Sequence, residues 1–178
     1  MRLAVLVLFT TLNLLPRKLS AAFPGAAVTD LSEETGRQRM IKSEEEMAIT
    51  RIGAAAADVG GEACKAALVP GVEEWEVGME VVNAMTRYMA ENLDDKAEMM
   101  DAWAWIQSGI NSDGCHNPLT RRKIREGDII MLNCFPESMQ GYYNALERTF
   151  FLGHADEASL KYWQTNCDVH RRGLELIK

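Results

Sequence analysis

The sequence has no surplus of positive charge. Its 178 residues include 19 Lys and Arg against 26 Asp and Glu, which gives a formal net charge of −7. A nucleic-acid-binding protein needs a basic face that neutralises phosphates, and this composition does not supply one. The longest basic run, residues 121–123, is short and is typical of a solvated turn or edge. We therefore expect no nucleic-acid partner.

Cysteine and histidine are also scarce. The chain has four cysteines and three histidines. No two cysteines have C-x-x-C spacing, and no histidine is placed to complete a zinc pattern. Cys64 and Cys134 lie inside apolar runs, as small core residues do. We expect all four cysteines to be reduced thiols.

The apolar stretch at the N-terminus is too short, and too soon interrupted by Pro16, to cross a membrane. It begins with a basic Arg2 and is followed by small residues at 20–22, a pattern that fits a secretory signal. A buried β-strand is the alternative. We expect a cytoplasmic protein, or a secreted one if residues 1–22 act as a signal peptide. In the second case the cysteines enter an oxidising compartment and can pair.

The middle of the chain predicts two helices. Ser43 and Glu46 have the spacing of a capping box at the start of an alanine-rich helix. The glycines at 60–61 indicate close packing or a kink in this helix, and Pro70-Gly71 ends it. A second helix is predicted over 73–91. Its buried stripe is expected at Val77, Val81, Met85 and Tyr88.

After about residue 98 the pattern changes to strands. Trp103 and Trp105 alternate with small residues, and residues 127–135 form an apolar run. A returning strand is predicted over 142–153, followed by a last helix capped by Asp156. We expect this helix to bury Leu160, Trp163, Cys167 and Leu174. The order predicts an α+β fold, with helices on one face of a mostly antiparallel sheet.

Three polar residues in this region are candidates for chemistry. His116 lies on the loop 108–120, between apolar segments. Asn133 and Glu147 interrupt apolar strands, and a buried carboxylate is costly unless it is paired. Neighbours on a strand point to opposite faces, so Arg148 is a poor partner and an external cation is the better one. The plain alternatives are a turn histidine and a Glu147–Arg148 ion pair.

Two segments carry a family resemblance: QSGINSDGCHNP at 107–118 and GYYNALERTFFL at 141–152. Together with RMIKSEEE at 39–46, they resemble the creatinase family of the pita-bread fold. The resemblance runs from about residue 12 to the last residue, with one extra residue around 137–140. It implies that residues 37–178 form the first half of a pita-bread catalytic domain. Residues 1–36 are then a linker or a remnant of the N-terminal domain.

The resemblance also implies roles for three residues. His116 moves a proton from the attacking water to the leaving nitrogen, Glu147 holds the guanidinium of the substrate, and Tyr143 lines the same pocket. The reaction is hydrolysis of the guanidinium C–N bond of creatine to sarcosine and urea. These roles are physically sensible, because a carboxylate accepts a guanidinium as a bidentate pair. Imidazole, in turn, can act as base and acid near neutral pH.

The same resemblance argues against a metal cofactor. Related pita-bread peptidases bind two metal ions, and two of their aspartate ligands correspond to Asn133 and Ala145 here. An amide and a methyl group do not replace hard anionic oxygens. An Xaa-Pro peptidase is therefore disfavoured, while a non-catalytic, metal-free interaction module stays open as an alternative.

The resemblance predicts creatine as the small-molecule partner and a homodimer for the full-length family protein, without a membrane partner. It also implies that the second half of the catalytic domain is missing from this sequence. We therefore expect the chain to be inactive by itself.

Overall fold

The computed structural model describes residues 2–5, 18, 20–25, 27–95, 101–114, 116–138 and 141–177. The chain divides into two compact units, Met1–Met47 and Ala48–Lys178. Most of the N-terminal apolar stretch, residues 6–17, lies outside the described residues. No helix in the described ranges has both the length and the apolar character that crossing a membrane needs.

The first unit holds a parallel pair of short strands, β1 (Arg2–Val5) and β2 (Ala27–Asp30). Helix α1 (Ser32–Met40) follows, and helix α2 (Glu44–Ala67) begins at the end of the unit. The main-chain N–H of Ser43 donates to Glu46 Oε2 at 2.6 Å, and Glu46 N–H donates to Ser43 Oγ at 3.3 Å. The predicted capping box is therefore confirmed.

The second unit is built on a three-stranded antiparallel sheet whose strands are adjacent in the order in which they occur in the chain. The strands are β3 (Asp101–Ser108), β4 (Ile129–Glu137) and β5 (Leu146–Phe151). Helix α3 (Glu74–Asn92) precedes the sheet, a 3-10 helix (Gly109–Asp113) follows β3, and helix α4 (Glu157–Leu176) follows β5. The predicted hairpin and the α+β class are confirmed.

The core lies between helices α2 and α3 and one face of the sheet. The sheet contributes Ala102, Ala104, Ile106, Ile130, Leu132 and Cys134 to this core. The helices contribute Ala56, Ala57, Cys64, Val77, Val81, Met85 and Met89. The stripe predicted for α3 is confirmed at Val77, Val81 and Met85, but Tyr88 is only half-buried. At Gly60 an added Cβ would lie 2.8 Å from Met85 Cγ, while α2 continues through it. Of the two interpretations of this glycine, close packing is the one observed.

The burial predicted for the last helix is wrong. Asp156 caps α4 as expected, because its Oδ1 accepts from the Ser159 N–H at 2.9 Å. However, Leu160, Trp163 and Leu174 are exposed, and Cys167 is only half-buried. Periodicity identifies the apolar face of a helix, but it does not supply an element that covers this face.

The structure describes three of the four cysteines that were expected to be reduced thiols. Cys64, Cys134 and Cys167 are free, and Cys115 lies outside the described residues. Burial raises the pKa of Cys64 to about 12 and that of Cys134 to about 11. Both thiols are thus held in the unreactive protonated form, as expected of core cysteines.

The sequence suggested that the basic run at 121–123 is a solvated turn or edge. The structure shows instead that one of its residues, Arg122, forms a largely buried ion pair. Arg122 Nη1 lies 2.6 Å from Asp128 Oδ2, and Nη2 lies 2.9 Å from Oδ1. The two side chains are only 20% and 13% exposed. Asp128 also accepts from the Arg125 N–H at 2.8 Å. This bidentate pair connects Arg122 to the residue that immediately precedes β4.

Acid should destabilise the protein through Asp128. Burial acts to raise the pKa of this carboxyl, but the Arg122 and Arg125 hydrogen bonds and charges outweigh it and hold the pKa below its usual value. A lowered folded pKa gives stability that is present above the unfolded pKa and lost as the pH falls through the folded one. Asp128→Asn should cost about 1.5–3 kcal/mol at pH 7 and weaken this acid dependence.

Urea melts between pH 7 and the acid limit of folding measure this effect. Asp168→Asn is the matched control, because its pair with Arg171 lies on the exposed surface of α4. The control should change the free energy of unfolding by about 0.5 kcal/mol or less. Equal losses for the two variants would contradict the assignment.

Candidate active site

The sheet face opposite the core carries a row of aromatic side chains. Strand alternation turns Ala102, Ala104 and Ile106 to the core, so that Trp103 and Trp105 lie on the other face. Phe135 of β4 packs between them, with ring centroids 5.6 Å from Trp103 and 5.4 Å from Trp105. All three are half-buried. They form an aromatic floor, defined here as Trp103, Trp105 and Phe135.

His116 lies on this aromatic floor. Its ring centroid is 4.6 Å from that of Trp105, with the planes tilted by 39°. Phe135 meets the imidazole edge-on at 6.1 Å. Imidazole Nε2 is 3.8 Å from Glu147 Oε1. The structure therefore brings together two residues that the sequence selected for separate reasons.

Glu147 differs from the expectation in its burial. Its side chain is 62% exposed, and that of His116 is 51% exposed. Glu147 lies on β5, at the edge of the three-stranded sheet, where no strand among the described residues pairs with the outer side of β5. Glu147 and Arg148 lie on opposite faces of β5, as inferred from the sequence, because Glu147 is paired with Asn133 and Arg148 with the core residue Leu132.

Tyr143 lies at the other end of the same face. Its ring centroid is 5.2 Å from that of Trp103, and its hydroxyl donates to a carboxylate oxygen of Glu137. This hydrogen bond, together with burial and the charge of Glu137, raises the pKa of Tyr143 above its ordinary value. Glu137 was not selected from the sequence. The feature of the sequence that could have identified Glu137 is its position as an acidic residue at the end of an apolar run.

Asn133 occupies the centre of the site, opposite Trp105 on one side and Glu147 on the other. It is buried, and its Nδ2 donates to Gln107 Oε1 at 3.3 Å. Ala145 is exposed. Within the described residues no group of three or more His, Cys, Asp or Glu side chains could hold a metal ion. An amide and a methyl group at these two positions do not fit a hard divalent cation.

This arrangement suits a planar cation. A carboxylate at the edge of an aromatic floor offers charge and hydrogen-bond acceptors, and the aromatic faces attract positive charge. An imidazole beside the carboxylate can accept a proton and return it near neutral pH. The face is open to water, so in this chain the groups are not enclosed.

The chain is similar to known proteins in sequence. The profile of Metallopeptidase family M24 matches residues 48–178. Creatinase of Bacillus sp. (strain B-0618) is 48% identical over 164 residues, which are 92% of this chain and 39% of that protein. The chain thus spans well under half the length of this curated relative.

Solved structures show the same fold. Prolidase from Pyrococcus horikoshii OT3 has a TM-score of 0.79 at 20% identity, and the match covers 96% of this chain and 46% of that one. Dipeptidase PepE from Mycobacterium ulcerans has a TM-score of 0.70 at 25% identity and covers 92% of this chain and 41% of that one. The pita-bread fold expected from the sequence is therefore confirmed.

Proposed function

The chain belongs to Metallopeptidase family M24, and from this premise we propose that its site serves the creatinase reaction. In that reaction water attacks the guanidinium carbon of creatine, and the bond from this carbon to the sarcosine nitrogen breaks. The products are urea and sarcosine. The observation that carries the proposal is the pairing of His116 with Glu147, 3.8 Å apart on an aromatic floor.

Each residue has one task in this proposal. Glu147 accepts the guanidinium N–H groups and fixes the plane of the cation, while Tyr143 lines the pocket beside Trp103. His116 takes a proton from the attacking water and gives it to the sarcosine nitrogen as that bond breaks. The creatinase relative, 48% identical to this chain, supports this choice of substrate.

A metal-dependent peptidase is the second candidate, favoured only by the fold of the solved prolidases. The donor set speaks against it, since Asn133 and Ala145 offer an amide and a methyl group where the family resemblance implies aspartate ligands. We therefore assign no step to a metal ion. A non-catalytic interaction module needs neither the imidazole nor the carboxylate, so the His116–Glu147 pair favours the enzyme.

The 178-residue chain by itself should show no creatine hydrolysis and should self-associate. Its His116 and Glu147 side chains are half or more exposed, so water competes for every charge that the site uses. The aromatic floor and the apolar residues of α4 remain open for association. Urea release from creatine and gel filtration with light scattering measure both properties. A monomer that hydrolyses creatine would contradict this prediction.

The function itself is tested by joining the chain to the second catalytic half of a creatinase. Creatine hydrolysis that survives dialysis against a chelator would support the proposal, as would a homodimer of the joined protein. An Xaa-Pro dipeptide with added manganese is the competing substrate. Cleavage of the dipeptide without any urea release from creatine would overturn the proposal in favour of the peptidase.

A further inference from the structure

Glu74, in the first turn of α3, is a fully buried carboxylate with 0% exposure. Its Oε1 accepts from Ser108 N–H at 2.8 Å and from Ser108 Oγ at 2.6 Å. Asn111 Nδ2 donates to both carboxylate oxygens at 3.1 Å, and the Thr120 hydroxyl donates to Oε2. A buried carboxyl group is costly unless hydrogen-bond donors of this kind surround it.

The donors that bind Glu74 lie on the segment that carries His116. Ser108 ends β3 and Thr120 closes the loop, so the carboxylate holds both ends of the loop 108–120. Asn111 connects the carboxylate to the middle of the loop, because its main-chain oxygen accepts from Asn117 Nδ2 at 2.9 Å. Asn117 is the residue next to His116. One buried group on a helix therefore anchors the loop at three points.

The loop is also held from the sheet. Gln107 Nε2 donates to the main-chain oxygen of Asn117 at 3.3 Å, and Gln107 Oε1 accepts from Asn133. Arg122 Nη1 donates to Ser108 Oγ at 2.6 Å, which brings a cation close to the buried carboxylate. Hydrogen bonds therefore run from α3 and from β4 to the residue beside His116.

We infer that Glu74 is a positioning residue, which acts through the loop 108–120 to keep the His116 imidazole on Trp105 and within reach of Glu147. What the imidazole then does rests on the proposed function. Glu74 touches no reacting atom itself. A carboxylate is suited to this task because it only accepts, whereas an amide would turn an N–H₂ group toward the Asn111 or Thr120 donors.

The test reads the position of His116 directly. The chain has three histidines, so histidine labelled with ¹³C at Cε1 in a deuterated chain gives three signals that remain observable in an oligomer. His116→Ala identifies the His116 signal, which should be displaced upfield by the ring current of Trp105, 4.6 Å away. His154 and His170 serve as internal references.

In Glu74→Gln the His116 signal should lose most of its upfield displacement, while the two reference signals stay in place and the thermal melt stays cooperative. Glu80→Gln, the same change at an exposed position of α3, should leave all three signals unchanged. If Glu74 only stabilised the fold, Glu74→Gln would lower the melting temperature without a selective shift of the His116 signal. An unmoved His116 signal in a folded Glu74→Gln chain would overturn the inference.

A second pair of variants decides the matter if Glu74→Gln does not fold. Thr120→Val removes one donor to Glu74 at nearly constant shape, and Thr120→Ser keeps the hydroxyl. We expect the His116 signal to shift in Thr120→Val and to keep the position of the unaltered protein in Thr120→Ser. Equal signals in both would overturn the inference. No substrate is present in these measurements. Their outcome therefore tests the role of Glu74 independently of whether the protein hydrolyses creatine.

Discussion

His116→Ala, made in the chain joined to the second half of a creatinase, should lower kcat for creatine by about 10²–10⁴-fold. That loss corresponds to about 2.7–5.5 kcal/mol of activation free energy. The physical reason is that Glu147 is engaged by the guanidinium and Glu137 by the Tyr143 hydroxyl, which leaves the imidazole to accept the proton of the attacking water and return it to the leaving nitrogen. Steady-state kinetics on creatine measure the effect.

His154→Ala and His170→Ala are the controls for this variant. Both residues are exposed, and within the described residues neither has a ring contact with the aromatic floor. His170 lines a cleft together with Glu147, whereas His154 does not, so His154→Ala is the stricter control. They should retain near-full turnover. His116→Ala should also lower the free energy of unfolding by about 0.5–1.5 kcal/mol, because the variant loses the ring contact with Trp105. Full activity of His116→Ala beside an inactive control would mean that a different histidine is the proton carrier.

Glu147→Gln in the same joined protein should reduce kcat/KM for creatine by about 10²-fold or more, which is ~2.7 kcal/mol or more. The amide keeps the shape of the side chain but loses the charge, and it turns donors toward the guanidinium donors. Because the pairing acts in both the bound and the reacting state, KM should rise and kcat should fall together. Initial rates over a range of creatine concentrations separate the two constants.

Glu91→Gln, at an exposed position near the end of α3, is the matched control and should behave as the unaltered protein. Stability should hardly change in Glu147→Gln, because this side chain is 62% exposed on an edge strand. If KM and kcat stayed unchanged in Glu147→Gln, the guanidinium would have to bind elsewhere on the sheet face.

The local elements followed from the sequence because their causes are local. The capping box at Ser43 and Glu46, the α3 stripe and the Asp156 cap each depend on residues only a few positions apart. The strands were found for the same reason, since alternation is a local pattern. The family resemblance came from continuous motifs and was confirmed by the creatinase relative at 48% identity.

Burial was the property that the local patterns predicted least well. Glu147 was expected to be buried and is exposed, because β5 is an edge strand. Trp163 and Leu174 were expected to be covered, and α4 has no described residue that is buried. Glu74 was the opposite case, an acid in a first helical turn that lies fully buried. No periodicity distinguishes these positions, because burial depends on which elements cover them.

The sequence by itself determined which side chains were available: the imidazole of His116, the carboxylate of Glu147, and an amide and a methyl group at Asn133 and Ala145. It also determined the α+β class, because the spacing of apolar residues that distinguishes a helix from a strand is a property of residues close together in the chain. Only the tertiary structure decided that His116 lies on Trp105 and 3.8 Å from Glu147. That meeting depends on strand register and on the loop anchored at Glu74, and both arise from contacts between residues distant in the chain.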